Sequence, residues 1–166
     1  MAGHRVGEPA PDFSLPGSGG RTFSLSEQRG NPMVLIFYPG DDTPVCTLQL
    51  NTYSKDLSEF TDLGATLWAI SPQSMESHDR FSERHGFGFP LLADESKATF
   101  KAYGCLGPLG FPRRSVFVVD RDGIVRYGHR AGPGLSFRKT DELVEAVKAT
   151  LSTTHPEVHR SGRRAR

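Results

Sequence analysis

The sequence predicts an α/β fold, a mixed central sheet with helices on both faces and an N-terminal β-hairpin, and three observations carry that prediction. Two continuous apolar runs, Met33 to Tyr38 and Ala65 to Ile70, have the length and composition of strands buried on both faces. Segments with apolar residues at helical spacing alternate with them. Ser115 to Val119 is followed by Asp120-Arg121-Asp122-Gly123 and then by Ile124 to Tyr127, a hairpin with an Asp-Gly turn that adds antiparallel neighbours.

Taken in order, Asp12-Phe13-Ser14-Leu15 and Arg21-Thr22-Phe23-Ser24-Leu25 alternate apolar and polar residues around Pro16, Gly17, Gly19 and Gly20, as a small hairpin does. The strand Met33 to Tyr38 follows Asn31-Pro32 and ends at Pro39-Gly40. From Cys46 onward Leu50, Tyr53, Leu57 and Phe60 recur at helical spacing, with Pro44 suited to the helix entrance and Gly64 to its exit. After the second strand, Ser71-Pro72 leads to a more polar helix over Ser74 to His85, stopped by Gly86. A short strand over Phe89 to Ala93 precedes a helix that Asp94 or Ser96 caps and that runs through Tyr103 to Gly104; a loop rich in Gly and Pro comes next. The last helix starts near Thr140, a suitable N-cap, and carries Leu143, Val147 and Leu151 on one face. Strand, helix, strand, helix, strand, helix, hairpin, helix is the plan of a thioredoxin-like fold with right-handed crossovers.

A chain of 166 residues fits one domain, expected over residues 1–152, and 153–166 reads as a disordered basic tail with no assigned function. Twenty Lys and Arg against 19 Asp and Glu leave a formal charge of +1, so no global field recruits nucleic acid or a membrane surface. The longest apolar stretch is far short of the ~20 residues of a bilayer span, and the start Met1 to Leu15 has no apolar core of signal-peptide type, so a soluble cytoplasmic protein is expected. Two cysteines, Cys46 and Cys105, are too few for a disulfide framework and stay reduced in that compartment.

The chemically loaded segment runs from Tyr38 to Gln49, between the first core strand and the first core helix. In open α/β sheets ligands bind at the carboxyl ends of strands, where a helix N-terminus offers unpaired N–H groups and a positive dipole end. A cysteine in the first turn gains thiolate character there, and more from a cation, for which Arg113 and Arg114 at the entrance to Ser115–Val119 are the candidates. Thr43 can turn its hydroxyl toward the same pocket or simply cap the helix. Residue types leave two readings of Cys46 open: an activated nucleophile, or a buried structural cysteine of the kind proteins commonly hold. Asp41 and Asp42 read as a capped or solvated turn, and His78 and His85 as solvated residues of a polar helix. The six histidines show no paired metal-ligand spacing, so no metal is assigned.

The run Phe37-Tyr38-Pro39-Gly40-Asp41-Asp42-Thr43-Pro44-Val45-Cys46-Thr47 resembles the peroxiredoxin signature in register at Pro39, Thr43 and Cys46, and Gln49 stands where that family carries Glu or Gln. The likeness extends to Ala10-Pro11-Asp12-Phe13-Ser14-Leu15, to Phe89-Pro90-Leu91-Leu92-Ala93-Asp94 and to Arg114 through Tyr127, and it covers most of residues 5–150. Arg114 precedes Asp120 by the interval of the family's active-site arginine. Thr43-Pro44 before the cysteine is similar to the bacterioferritin comigratory protein, or peroxiredoxin Q, branch. The resemblance implies a thiol-dependent peroxidase of antioxidant defence, with no metal or organic cofactor, acting on hydrogen peroxide and organic hydroperoxides. In that scheme Cys46 becomes a sulfenic acid and a thioredoxin-like thiol donor re-reduces it; Thr43 and Arg114 hold the peroxide, Gln49 orients Arg114, and Pro39 shields the sulfur.

The chain departs from that pattern at two places. Many members of the branch carry a resolving cysteine five residues after the peroxidatic one, and here that position is Asn51; Val45 replaces a glycine often found before the cysteine. Cys105, at a helix exit and opening the Gly104–Gly110 loop, is the candidate resolving thiol, provided that the two Cα atoms come within about 7 Å. Cys105 of a second subunit is a further alternative; otherwise Cys105 is uninvolved and an external thiol resolves Cys46. Two other functions are weighed beside the peroxidase. A thioredoxin-like disulfide reductase expects Cys-x-x-Cys, which this chain lacks, and a non-enzymatic redox sensor would use the same cysteine without turnover. The expected partners are a hydroperoxide and a thiol reductant, with no nucleic acid and no membrane, in a monomer or a homodimer.

Overall fold

A computed structural model describes residues 6–131 and 137–154. One sheet of seven strands organises the chain: β1 (Ser14–Gly17), β2 (Arg21–Ser24), β3 (Met33–Phe37), β4 (Thr66–Ser71), β5 (Leu91–Ala93), β6 (Ser115–Val119) and β7 (Val125–Arg130). Their order across the sheet is β2-β1-β5-β4-β3-β6-β7. β3, β4 and β5 run parallel, while β6 joins β3 antiparallel and β1 joins β5 antiparallel. The helices are α1 (Pro44–Lys55), α2 (Leu57–Thr61), α3 (Met75–His85), α4 (Ala98–Ala102) and α5 (Thr140–Thr154). The fold is the mixed, thioredoxin-like sheet with an N-terminal β1–β2 hairpin that the apolar runs predict.

The central strands are buried on both faces because their side chains alternate between two cores. Val34 and Ile36 of β3, Leu67 and Ala69 of β4 and Val116 and Val118 of β6 pack with Leu50, Tyr53, Phe60, Phe81, Leu143 and Val147 from the helices. Met33, Leu35 and Phe37, with Trp68, Ile70, Phe117 and Val119, face the other way onto Phe13, Phe23, Phe100 and Tyr103. Cys46 lies in the first core and Cys105 in the second.

Local chemistry explains the boundaries. Ser74 caps α3 by accepting from the Ser77 amide at 3.1 Å, and Gly86 closes that helix at φ 65° with its N–H on the Ser82 carbonyl. Asp120 accepts the amides of Asp122 and Ile124, both at 2.9 Å, which folds the turn between β6 and β7.

Three expectations are corrected. The helical stretch from Pro44 toward Gly64 is two helices, broken at Asp56, whose carboxylate turns aside to accept from Thr140 Oγ1 at 2.7 Å. The N-cap position of α4 is Lys97, at φ 65°, although the capping bonds come from the two residues expected to cap it: Asp94 takes the amides of Thr99 and Phe100 at 3.2 and 2.9 Å, and Ser96 Oγ takes that of Ala98 at 3.2 Å. Thr140 is the first residue of α5, held to Asp56. Most of the basic tail, 155–166, lies outside the described residues.

The aromatic cluster around Phe37, with ring centroids 5.0 Å from Phe100, 5.1 Å from Tyr103 and 5.6 Å from Phe117, ties β3 to β6 on the second face. Phe37→Ala is expected to cost about 3–5 kcal/mol of unfolding free energy, read from urea denaturation against wild type.

Candidate active site

β3 ends at Phe37 and the chain crosses the top of the sheet as Tyr38 to Thr43 before entering α1. Pro44 occupies the first turn of α1 and has no N–H to lose there, and the Thr47 amide bonds to the Thr43 carbonyl at 2.9 Å. The amides of Val45 and Cys46 are then the first-turn donors left for a ligand. Cys46 is fully buried in the first core, within the first turn of the helix.

β6 delivers the cation. Phe37 pairs with Ser115 across the β3–β6 ladder, so Arg114 stands just beyond the last pair at the same end of the sheet. Ser115 is turned toward the Cys105 side, and Arg114, one residue earlier, reaches the opposite face. Its Nη1 donates to Cys46 Sγ at 3.2 Å and to Gln49 Oε1 at 2.7 Å. Gln49 is buried one turn after Cys46 on α1, so a single guanidinium nitrogen is fixed by a neutral oxygen and aimed at a sulfur. Arg113, the other candidate cation, is occupied elsewhere: its Nε donates to the Ala131 carbonyl at 3.0 Å.

Thr43 is exposed at the N-cap position of α1, and its hydroxyl makes no capping bond. It donates to the Gly40 carbonyl at 3.2 Å, which commits the proton and leaves the oxygen lone pairs as acceptors. Pro39 is half-buried where β3 gives way to the loop. Gly40 leaves room for Gln73 there, since a Cβ at that position would stand 3.0 Å from Gln73 Oε1 and that side chain would have to shift.

Two readings from the sequence are corrected. Asp41 is not a solvated turn residue. It is buried, with Oδ1 accepting from the Tyr38 hydroxyl at 2.7 Å and Oδ2 accepting from Ser77 Oγ at 2.6 Å and facing His78 Nδ1 at 2.8 Å. His78 is fully buried rather than solvated. Three before Phe81 on α3, it shares that residue's inward face, the signal that distinguishes it from the outward residues of a polar helix. Asp42, at φ 61°, turns outward to an ion pair with Arg84. Burial alone would raise the Asp41 carboxyl, but the bonds from His78, Ser77 and Tyr38 outweigh it and hold the group below its ordinary value.

Cys105, the candidate resolving thiol, follows the exit of α4 and is fully buried on the second face, with its thiol on the Tyr103 carbonyl at 3.6 Å. Burial pushes the thiol up to about 11 against the opposing pull of Ser115 and Arg130. The sheet stands between the two sulfurs. Asn51, on α1, meets His85 of α3 at 3.5 Å.

Asp41→Asn leaves His78 without its anion and is expected to cost about 3 kcal/mol at pH 7. The folded carboxyl titrates below 3.8, so its stabilisation is complete above 3.8 and fades as the pH falls from there through the lower folded value. Urea denaturation across that range should show the gap between wild type and variant narrowing on acidification; a constant gap contradicts the assignment.

Residues 6–128 match the family model described as the AhpC/TSA family. The chloroplastic peroxiredoxin Q of Sedum lineare is 34% identical over 146 residues, 86% of this chain and 78% of that protein. Chloroplastic peroxiredoxin Q of Suaeda salsa is 35% identical over 145 residues, 85% of this chain and 68% of that one. A solved structure of the Xanthomonas campestris bacterioferritin comigratory protein, studied for alkyl peroxide reduction, superposes with a TM-score of 0.74 at 31% identity, covering 82% of this chain and 90% of the other. With its fold, its cysteine at the helix entrance and its matched length taken together, the chain belongs to the AhpC/TSA family, the peroxiredoxins, and its relatives include peroxiredoxin Q proteins.

Proposed function

We propose that the chain is a thiol-dependent peroxidase in which Cys46 reduces hydrogen peroxide and alkyl hydroperoxides, and the observation that supports this most directly is the Arg114 guanidinium at 3.2 Å from the buried Cys46 sulfur. The Cys46 thiolate attacks the distal oxygen of the hydroperoxide in line. An S–O bond forms as the O–O bond breaks, the sulfur is oxidised to a sulfenic acid, and the departing oxygen takes a proton to leave as water or an alcohol. Thr43 accepts a hydrogen bond from the peroxide O–H, while Arg114 and the Cys46 amide stabilise charge on the departing oxygen. Gln49 holds the guanidinium between these tasks, and Pro39 covers the segment that leads to the sulfur.

Resolution comes from outside the chain. Cys105 sits across the sheet from Cys46 and would have to leave a packed core to form a disulfide, and Asn51 supplies no thiol. An external thiol condenses with the sulfenic acid, releasing water and forming a mixed disulfide; a second thiol of the donor, thioredoxin-like or otherwise, releases Cys46 reduced. Among the described residues no helix is long and apolar enough to cross a membrane. Two free cysteines suit a reducing compartment, and the cytoplasm is the proposed location.

Stopped-flow reaction of the reduced protein with hydrogen peroxide and with an organic hydroperoxide tests the assignment. Wild type and Cys105→Ser should react at similar rates and show a lasting gain of one oxygen by intact mass, and Cys46→Ser should not react. Arg114→Met should slow the reaction by roughly 100- to 1,000-fold. If Cys46→Ser reacts like wild type, the assignment fails. Loss of two hydrogens in wild type, absent from Cys105→Ser, would make Cys105 the resolving thiol.

A further inference from the structure

Beneath the Pro39–Thr43 segment lies a buried His–Asp pair that the peroxide chemistry itself never touches. His78 is fully buried, with Nδ1 2.8 Å from Asp41 Oδ2 and Nε2 3.0 Å from the Leu92 carbonyl oxygen. A carbonyl only accepts, so Nε2 carries a proton. An Asp41 carboxylate that takes the Tyr38 and Ser77 hydroxyls at 2.7 and 2.6 Å also only accepts, so Nδ1 would carry one too. Donors on both nitrogens would make the ring an imidazolium.

Among the described residues such a charge has a single counterion, Asp41. The end of β3 contributes the Tyr38 ring and hydroxyl, β5 contributes the Leu92 carbonyl, and the Ser18–Gly20 turn packed on α3 has no charged residue. On α3 itself Ser77 bonds to the same Asp41 oxygen, and Arg84 is engaged with Asp42. The consequence reaches the active segment through one peptide plane. The Asp41 N–H donates to Gln73 Oε1 at 3.0 Å, and the carbonyl at the other end of that peptide, Gly40, receives the Thr43 hydroxyl. Pinning the Asp41 side chain therefore fixes the plane that orients the Thr43 proton.

We propose that His78 is a positioning residue: as a buried imidazolium paired with Asp41 it locks the Gly40–Asp41 peptide, so that Thr43 presents its lone pairs to the hydroperoxide. This rests on the reading of Cys46 as attacking sulfur and Thr43 as peroxide acceptor. Without the charge the segment keeps its sequence but loses its fixed geometry, and a displacement of about 1 Å at such a residue costs on the order of 100-fold in rate.

Two measurements on the full chain test this. In protein labelled with nitrogen-15 at histidine, both ring nitrogens of His78 should carry protons at neutral pH; one bare nitrogen overturns the imidazolium whatever the activity. His78→Gln keeps an amide donor but no charge. It should slow the reaction of Cys46 with hydrogen peroxide by about 10- to 100-fold while leaving alkylation of Cys46 by iodoacetamide within about twofold, because Arg114 is undisturbed. Adding Asp41→Asn should cause no further loss, as for two halves of one unit. A peroxide rate within about twofold of wild type, or equal losses in both reactions, overturns the positioning role. Cys46→Ser is run alongside: wild-type peroxide reactivity there would sink the underlying reading instead.

Discussion

The placement of Arg114 depends on the register between β3 and β6. Phe37 opposes Ser115, so the residue before Ser115 emerges at the carboxyl end of β3, on the face where α1 begins. Side chains alternate along a strand, so a slip by one residue would send the guanidinium to the opposite face and leave the Cys46 sulfur buried among Val34, Ile36 and Val116 with no cation. The aromatic cluster of Phe37, Phe100, Tyr103 and Phe117 opposes such a slip, because the same shift would carry Phe117 out of its own core. Packing on the second face thus fixes chemistry on the first.

The two cysteines show what that placement is worth. Both are fully buried, both belong to an apolar cluster, and both lie near β6. At Cys105 burial dominates, the thiol is pushed up to about 11, and its hydrogen bond is to a backbone carbonyl, an arrangement that favours the neutral, inert form. At Cys46 the hydrogen-bond partner is a guanidinium, itself steered by Gln49, and the sulfur serves as acceptor. An isolated anion buried among hydrocarbon side chains is costly, and a fixed cation within hydrogen-bond reach is the compensation a thiolate needs.

The strands, their succession along the chain and the helix entrance just before Cys46 were legible in the sequence because each rests on local signals: continuous apolar runs, Asp-Gly turn chemistry, Pro44 at the first turn and glycines at helix ends; the order of strands across the sheet was not. The break at Asp56 was not, since it answers to Thr140, far along the chain. Nor was the inside of the loop. Asp41 and Asp42 are neighbours of one type, yet one is buried against His78 and the other exposed against Arg84; the difference lies in how α3 packs over them. The burial of Cys105 has the same character: nothing in the Gly- and Pro-rich loop it opens signals a buried thiol, while the backbone there is tied down by bonds such as the Arg113 amide to the Cys105 carbonyl at 2.7 Å.

α3 emerges as the support of the active segment. Ser77, His78 and Arg84 engage Asp41 and Asp42, Gln73 before the helix takes the Asp41 amide, and His85 meets Asn51 on α1. A segment held at so many points resists rearrangement, and a resolving thiol at position 51 would need α1 to unwind before its sulfur could approach Cys46. Asn51 removes that need. On the proposal that an external thiol resolves Cys46, the helix has no reason to open during turnover, and contacts that would slow a chain resolving its own cysteine instead keep Thr43 and Arg114 in place for the next hydroperoxide.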